Sequence, residues 1–101
     1  MVDGLHTNAR GNNWWWYKNG KLHREDGPAV GSGRYKAWFK DGSLHREDGP
    51  AIEFADGVNG WHLNGEWLGL GTEGFWKLWD RLTPEQRGNP TLLRYLPRCT
   101  S

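Results

Sequence analysis

The sequence predicts a mainly β protein of the α+β class: an antiparallel meander of about six to eight short strands, built from tandem hairpins and closed by about one to three short C-terminal helices. Three observations predict it. The segment Leu-His-Arg-Glu-Asp-Gly-Pro-Ala occurs at residues 22–29 and again at 44–51. Each copy follows an aromatic stretch and a turn dipeptide: Trp16-Tyr17-Lys18-Asn19-Gly20, then Trp38-Phe39-Lys40-Asp41-Gly42. A decayed third unit starts at Trp61-His62-Leu63-Asn64-Gly65, so the three Trp residues recur at intervals of 22 and 23 residues. Fixed spacing in this range marks a repeat architecture. Beyond Leu70 the apolar period changes from that of strands to that of a helix.

The elements follow in order. Residues 1–13 are polar, rich in Gly and Asn, and aperiodic; they read as a loose arm or a partial repeat. Asn19-Gly20, Asp41-Gly42 and Asn64-Gly65 supply the two positive φ angles of a type I′ hairpin turn. Residues 14–18 are therefore expected to pair with 21–24, residues 35–40 with 43–46, and residues 60–63 with a short strand at 66–68. Asp26-Gly27-Pro28 and Asp48-Gly49-Pro50 are turns, in which Asp bonds the local backbone and Pro fixes the exit. Short strands follow at 29–30 and 51–54, then turns at 31–33 and 55–57. Thr72 is the expected N-cap of a helix whose Phe75, Leu78, Trp79 and Leu82 fall on one face. Thr83-Pro84-Glu85-Gln86 is a capping-box pattern. Asn89-Pro90 opens a last helix carrying Leu92, Leu93, Tyr95 and Leu96, stopped by Pro97. The result is one domain: arm 1–13, hairpin repeats 14–69, helical cap 70–101.

Composition narrows the function. The net charge of +1 gives no general pull toward nucleic acid or an anionic membrane. A single cysteine, Cys99, excludes an internal disulfide and a Cys-based zinc site, and reads as an incidental thiol. No signal-peptide core and no long apolar run is present, so no membrane role is expected and a reducing, cytoplasmic setting is. Phosphate loops, nucleophile elbows and zinc-protease motifs are missing, and no cofactor is expected.

The pattern Trp-aromatic-x-Asn/Asp-Gly-x-Leu-His-Arg-Glu-Asp-Gly-Pro-Ala spans residues 14–68. It resembles the MORN-like β-hairpin repeats common in bacteriophage and giant-virus proteins. The third unit departs from it, with Glu66-Trp67-Leu68 after its turn, and the C-terminal helices lie outside it. The resemblance implies a repeat sheet and a viral or phage origin, with the cytoplasm of an infected bacterium as the setting. It implies no reaction.

Residues that recur between units are expected to build the scaffold: Trp16, His23, Arg24, Asp26, Gly27, Trp38, His45, Arg46, Asp48, Gly49 and Trp61. His23 and Glu25 share one strand face, Arg24 and Asp26 the other. Arg24 and Arg46 are expected to pair with neighbouring acids, each His to cap a backbone group at a turn, and the three repeat Trp residues to stack as a ladder. Neither a metal site nor a catalytic pocket is expected from flat strands of this kind. The remaining aromatics and nearby lysines form the candidate partner-binding set: Trp14, Trp15, Tyr17, Lys18, Lys36, Lys40, Trp67 and Trp76. One face of the first hairpin is expected beneath the C-terminal helix; the other, if exposed, is a binding surface. The expected function is a non-enzymatic protein-binding module, a small phage protein that binds and inhibits a host complex such as a CRISPR-Cas defence effector. Two alternatives stand beside it. One is a homo-oligomeric (homodimeric) or virion-associated protein. The other is a nucleic-acid or nucleotide binder, suggested by aromatics among Lys18, Lys21, Arg34, Lys36 and Lys40 and opposed by Glu25, Asp26, Glu47 and Asp48.

Overall fold

The computed structural model describes residues 3–97; Cys99 and the end of the helical cap lie outside the described residues. The chain runs β1 (Gly4–Thr7), β2 (Trp14–Lys18), β3 (Lys21–Leu22), β4 (Val30–Gly31), β5 (Tyr35–Ala37), β6 (Phe39–Lys40), β7 (Ser43–Leu44), β8 (Ile52–Phe54), β9 (Asn59–Leu63), β10 (Glu66–Leu70), α1 (Gly71–Arg81), α2 (Pro84–Arg87) and α3 (Pro90–Leu93). The α+β class is that of the expected meander. All strand pairs are antiparallel, in the order β1-β2-β4-β5-β8-β9-β10, with β3 on β2 and a separate β6–β7 ribbon.

The three turns have the expected geometry. Asn19, Asp41 and Asn64 sit at φ 53, 49 and 51°, each followed by a glycine of positive φ. The first two hairpin ladders are shorter than expected, because the backbone N–H of Trp16 and of Trp38 bonds outside the hairpin; β2 still runs through Trp16 and β9 through Trp61. The Trp38 N–H donates to the Ala51 carbonyl at 2.7 Å, while its carbonyl accepts from the His45 N–H at 3.0 Å. Trp16 does the same with Ala29 and His23. Residues before Trp38 therefore pair in the main sheet, and Phe39 and Lys40 pair with Leu44 and Ser43 in a ribbon of their own. The expected 35–40 strand thus becomes β5 and β6.

The arm also differs from expectation: residues 4–7 form an edge strand, Gly4 opposite Tyr17 and His6 opposite Trp15. Gly4 there takes the place against Tyr17 that Arg24 takes against Phe39, whose carbonyl accepts the Arg24 N–H at 3.2 Å.

The bulky core lies at the other end. Trp61, Leu68, Phe75, Leu78, Leu82 and Leu92 form one buried cluster beneath α1, which packs on β9 and β10. In the first two units the buried apolar residues are small: Ala29, Val30, Ala37 and Ala51. The N-cap of α1 is Leu70, with no side-chain cap; Thr72 lies inside the helix. The Thr83–Gln86 capping box forms as expected, and Asn89 caps α3, which ends at Leu93.

Candidate functional site

The duplicated polar residues clamp each unit to the next. The Nδ1 of His23 accepts the backbone N–H of Asp41 at 3.0 Å, and that of His45 accepts the N–H of Asn64 at 2.9 Å. The Leu22 and Leu44 carbonyls accept from Gly42 and Gly65, at 2.9 and 2.7 Å. Each histidine thus caps the turn of the following hairpin. The arginines hold the turns within a unit. Nε of Arg24 bonds Asp26 at 2.8 Å and Nη1 bonds the Pro28 carbonyl at 3.3 Å; Arg46 repeats this with Asp48 and Pro50, at 2.8 and 3.2 Å. Gly27 and Gly49 leave room for those guanidinium groups: a Cβ on Gly49 would stand 2.6 Å from the Arg46 Cζ.

The three repeat Trp residues do not stack on one another, because an arginine covers each of the first two. The Cζ of Arg24 lies 4.6 Å from the Trp16 ring centroid, and that of Arg46 3.8 Å from Trp38. In the third unit Leu68 and Gly69 stand where His and Arg stood, and Phe75 and Tyr95 meet Trp61 edge-on instead.

One arrangement differs from expectation. Arg24 to Asp26 of the first copy and His45 to Asp48 of the second line a shared open cleft of about 630 Å³ above Trp38, closed on one side by Asn89 and Thr91. Its side chains are mostly committed: Asp26 to Arg24, Asp48 to Arg46, and Glu47 to Gln86 at 3.2 Å. The Arg24 guanidinium beside Asp26 holds that carboxyl below its usual range. Among the described residues, no group of three or more His, Cys, Asp or Glu converges on a point that could hold a metal ion.

The candidate partner-binding residues separate into two groups. Trp14, Trp15 and Tyr17 are half-buried, but not under the helix, which packs on the far hairpin. Trp14 lies across Gly31, where a Cβ would come within 2.2 Å of its ring, and Tyr17 meets His6 edge-on. Lys18, Lys36 and Lys40 are exposed. Trp67 and Trp76 are the exposed indoles, at 53% and 42%. Leu70, between them in sequence, is 52% exposed, and Phe54, Val58 and Tyr35 add further open apolar surface. The sequence reading missed these four.

Trp67 is fixed from below. Its ring lies 5.0 Å from His62 and covers Gly60, while Leu68 turns inward. Burial pushes the His62 imidazole below its ordinary pKa. Arg81 on α1 binds Glu66 through two bonds, which hold the Glu66 carboxyl low and fasten helix to strand. Comparison with family models, curated proteins and solved structures finds no match to this chain. No helix among the described residues is long and apolar enough to cross a membrane.

Proposed function

We propose that this chain is a non-enzymatic protein-binding module whose contact surface is the capped end: the last hairpin and the outer side of α1. One observation carries the reading. Trp67, Leu70 and Trp76 are 53, 52 and 42% exposed on elements fastened to the only bulky core cluster among the described residues. Large apolar patches exposed on a monomer mark interaction sites, and indoles on rigid elements are common binding anchors. The two-bond Glu66–Arg81 bridge holds strand and helix in register, which lowers the ordering cost on binding.

The repeat resemblance supplies the finer reading: a phage-encoded protein whose partner is a host protein or complex, with inhibition of a bacterial defence effector such as CRISPR-Cas as the outcome. The test is quantitative affinity capture from bacterial lysate with wild type and the Trp67→Ala and Trp76→Ala variants. A specific partner depleted at least tenfold by either substitution supports the reading. Capture unchanged by both, with all three proteins folded, refutes it. Light scattering on the same samples shows whether a second copy occupies this surface instead.

A further inference from the structure

A second site lies away from the capped end, where the turns before β2 and after β4 meet. It is a groove of about 490 Å³ lined by Trp15 and Tyr35, with Asn12, Asn13 and Arg34 around it. That volume suits a small ligand or one unit of a polymer. A smaller groove shares Tyr35 and continues past Lys36 and Phe54. Trp15 is half-buried opposite Val30, and Tyr35 is 38% exposed with its ring 6.4 Å from Phe54. Two flat rings thus border one opening.

The polar groups around the rings are positioned but unspent. Arg34 is fixed by its backbone: its N–H bonds the Ser32 Oγ at 3.1 Å, and its carbonyl accepts from Ala55 at 2.9 Å. Its guanidinium has no ion-pair or hydrogen-bond partner among the described residues, and neither has the Lys36 amine. Asn12 and Asn13 are set by Asn8, which donates to the Asn12 Oδ1 at 2.7 Å and accepts the Asn13 N–H at 3.2 Å. The Asn12 amide N–H groups and the whole Asn13 amide remain open among the described residues. No acid lines the larger groove. Glu53 lines the smaller one, but its Oε1 already accepts from Arg46 and Tyr95. The one acid beside these grooves is therefore committed to Arg46 and Tyr95.

We infer that this groove binds a nucleotide unit, with the base against Trp15 or Tyr35, its edge at the asparagine amides, and its phosphate at Arg34. A flat ring, a hydrogen-bonding edge and an anion occur together in that ligand, and each meets its complement here. The unit is either a free nucleotide or part of a single strand. In a duplex the bases are stacked away from such a groove.

The experiment is fluorescence anisotropy at low salt with a fluorescein-labelled ten-nucleotide oligothymidylate, its duplex form, and AMP as competitor. Binding of the single strand, weakened at least tenfold by Arg34→Glu and by Tyr35→Ala, is the expected result. The salt slope of Arg34→Glu should be shallower by about 0.7 than wild type. Trp15→Phe keeps a stacking ring and should bind within a few-fold of wild type. Displacement by AMP assigns the site to free nucleotides; binding without displacement assigns it to strands. The inference fails if neither probe binds, if the duplex binds as well as the single strand, or if both substitutions leave affinity unchanged. Trp67→Ala should leave this binding intact, which separates the groove from the capped-end surface.

Discussion

The same motif letter does different work in the two full copies, and burial decides the difference. Arg46 is 9% exposed and bonds Asp48, Pro50 and Glu53, with Tyr95 of the cap above it; Arg24 is 28% exposed and has no counterpart to Glu53 or Tyr95. Removing Arg46 strands two carboxylates that are only partly in contact with water. We expect Arg46→Ala to cost about 2–3 kcal/mol, below the full penalty for a buried pair because Asp48 and Glu53 keep some solvent. Arg24→Ala should cost about 1 kcal/mol or less, as for an exposed pair with a cation–π contact. Urea unfolding of the two variants checks this; equal losses would mean that burial is not the deciding factor. A second residue-scale expectation concerns pH. Burial holds the His62 pKa below the ordinary imidazole value of 6.5, so the unfolded chain takes up the proton first. The stability that neutral His62 contributes is complete above about pH 7 and falls as pH drops through about 6.5 toward the folded value. His62→Gln should flatten stability between about pH 7 and 5. The Glu66 carboxyl, held low by Arg81, loses its contribution only as pH falls below the ordinary glutamate value of 4.5, outside that window. An unchanged slope in His62→Gln would remove this assignment.

At the scale of elements, the cap depends on a helix meeting a strand with nothing between them. A Cβ on Gly74 would stand 2.2 Å from Cδ1 of Trp61 and 2.4 Å from the Gly69 carbonyl oxygen. Helix propensity alone says that Gly74→Ala stabilises α1 by about 1 kcal/mol. The contact with backbone says the opposite, because α1 must lift off Trp61 or β10 must shift, a strain of about 1–3 kcal/mol plus lost packing. We expect a net loss near 2 kcal/mol, read as a lower urea midpoint with unchanged m-value; a gain would show that the helix slides freely. This close approach was not legible in the sequence, whereas the helix itself was, through Phe75, Leu78, Trp79 and Leu82. The difference is physical. Periodicity and turn chemistry are local, so Asn19-Gly20, Asp41-Gly42 and the Thr83–Gln86 box could be read directly. Tertiary choices are not local. Trp38 splits its strand because Ala51 competes for its N–H. Trp14 is half-buried because Gly31 happens to face it. The clamping role of His23 and His45 was legible because a residue repeated with its turn must serve the repeat, but the next hairpin as its target was not. Leu70 and the groove around Arg34 carried no repeating signal at all.

For the whole molecule, the array ends in unlike devices, a short edge strand at one end and a helix at the other. Inside the array, each Leu-His-Arg segment docks on the open side of the following hairpin. The last unit has Leu68-Gly69 at that position and offers α1 instead of another docking segment. The first hairpin would present an uncovered edge, but β1 lies against it, opposite Trp14 to Tyr17. An edge left open beside Trp15 and Tyr17 is the kind of surface that pairs with another chain. Deleting residues 1–7 should therefore leave a folded protein that self-associates with concentration, while the full chain stays monomeric in the same buffer. Near-UV circular dichroism reports whether the aromatic packing of Trp61, Phe75 and Tyr95 survives the deletion, and light scattering reports the mass. That core lies at the far end of the sheet from β1, so the deletion does not reach it. A truncated chain that remains folded and monomeric would show that the β2 edge is not adhesive, and that β1 serves some purpose other than covering it.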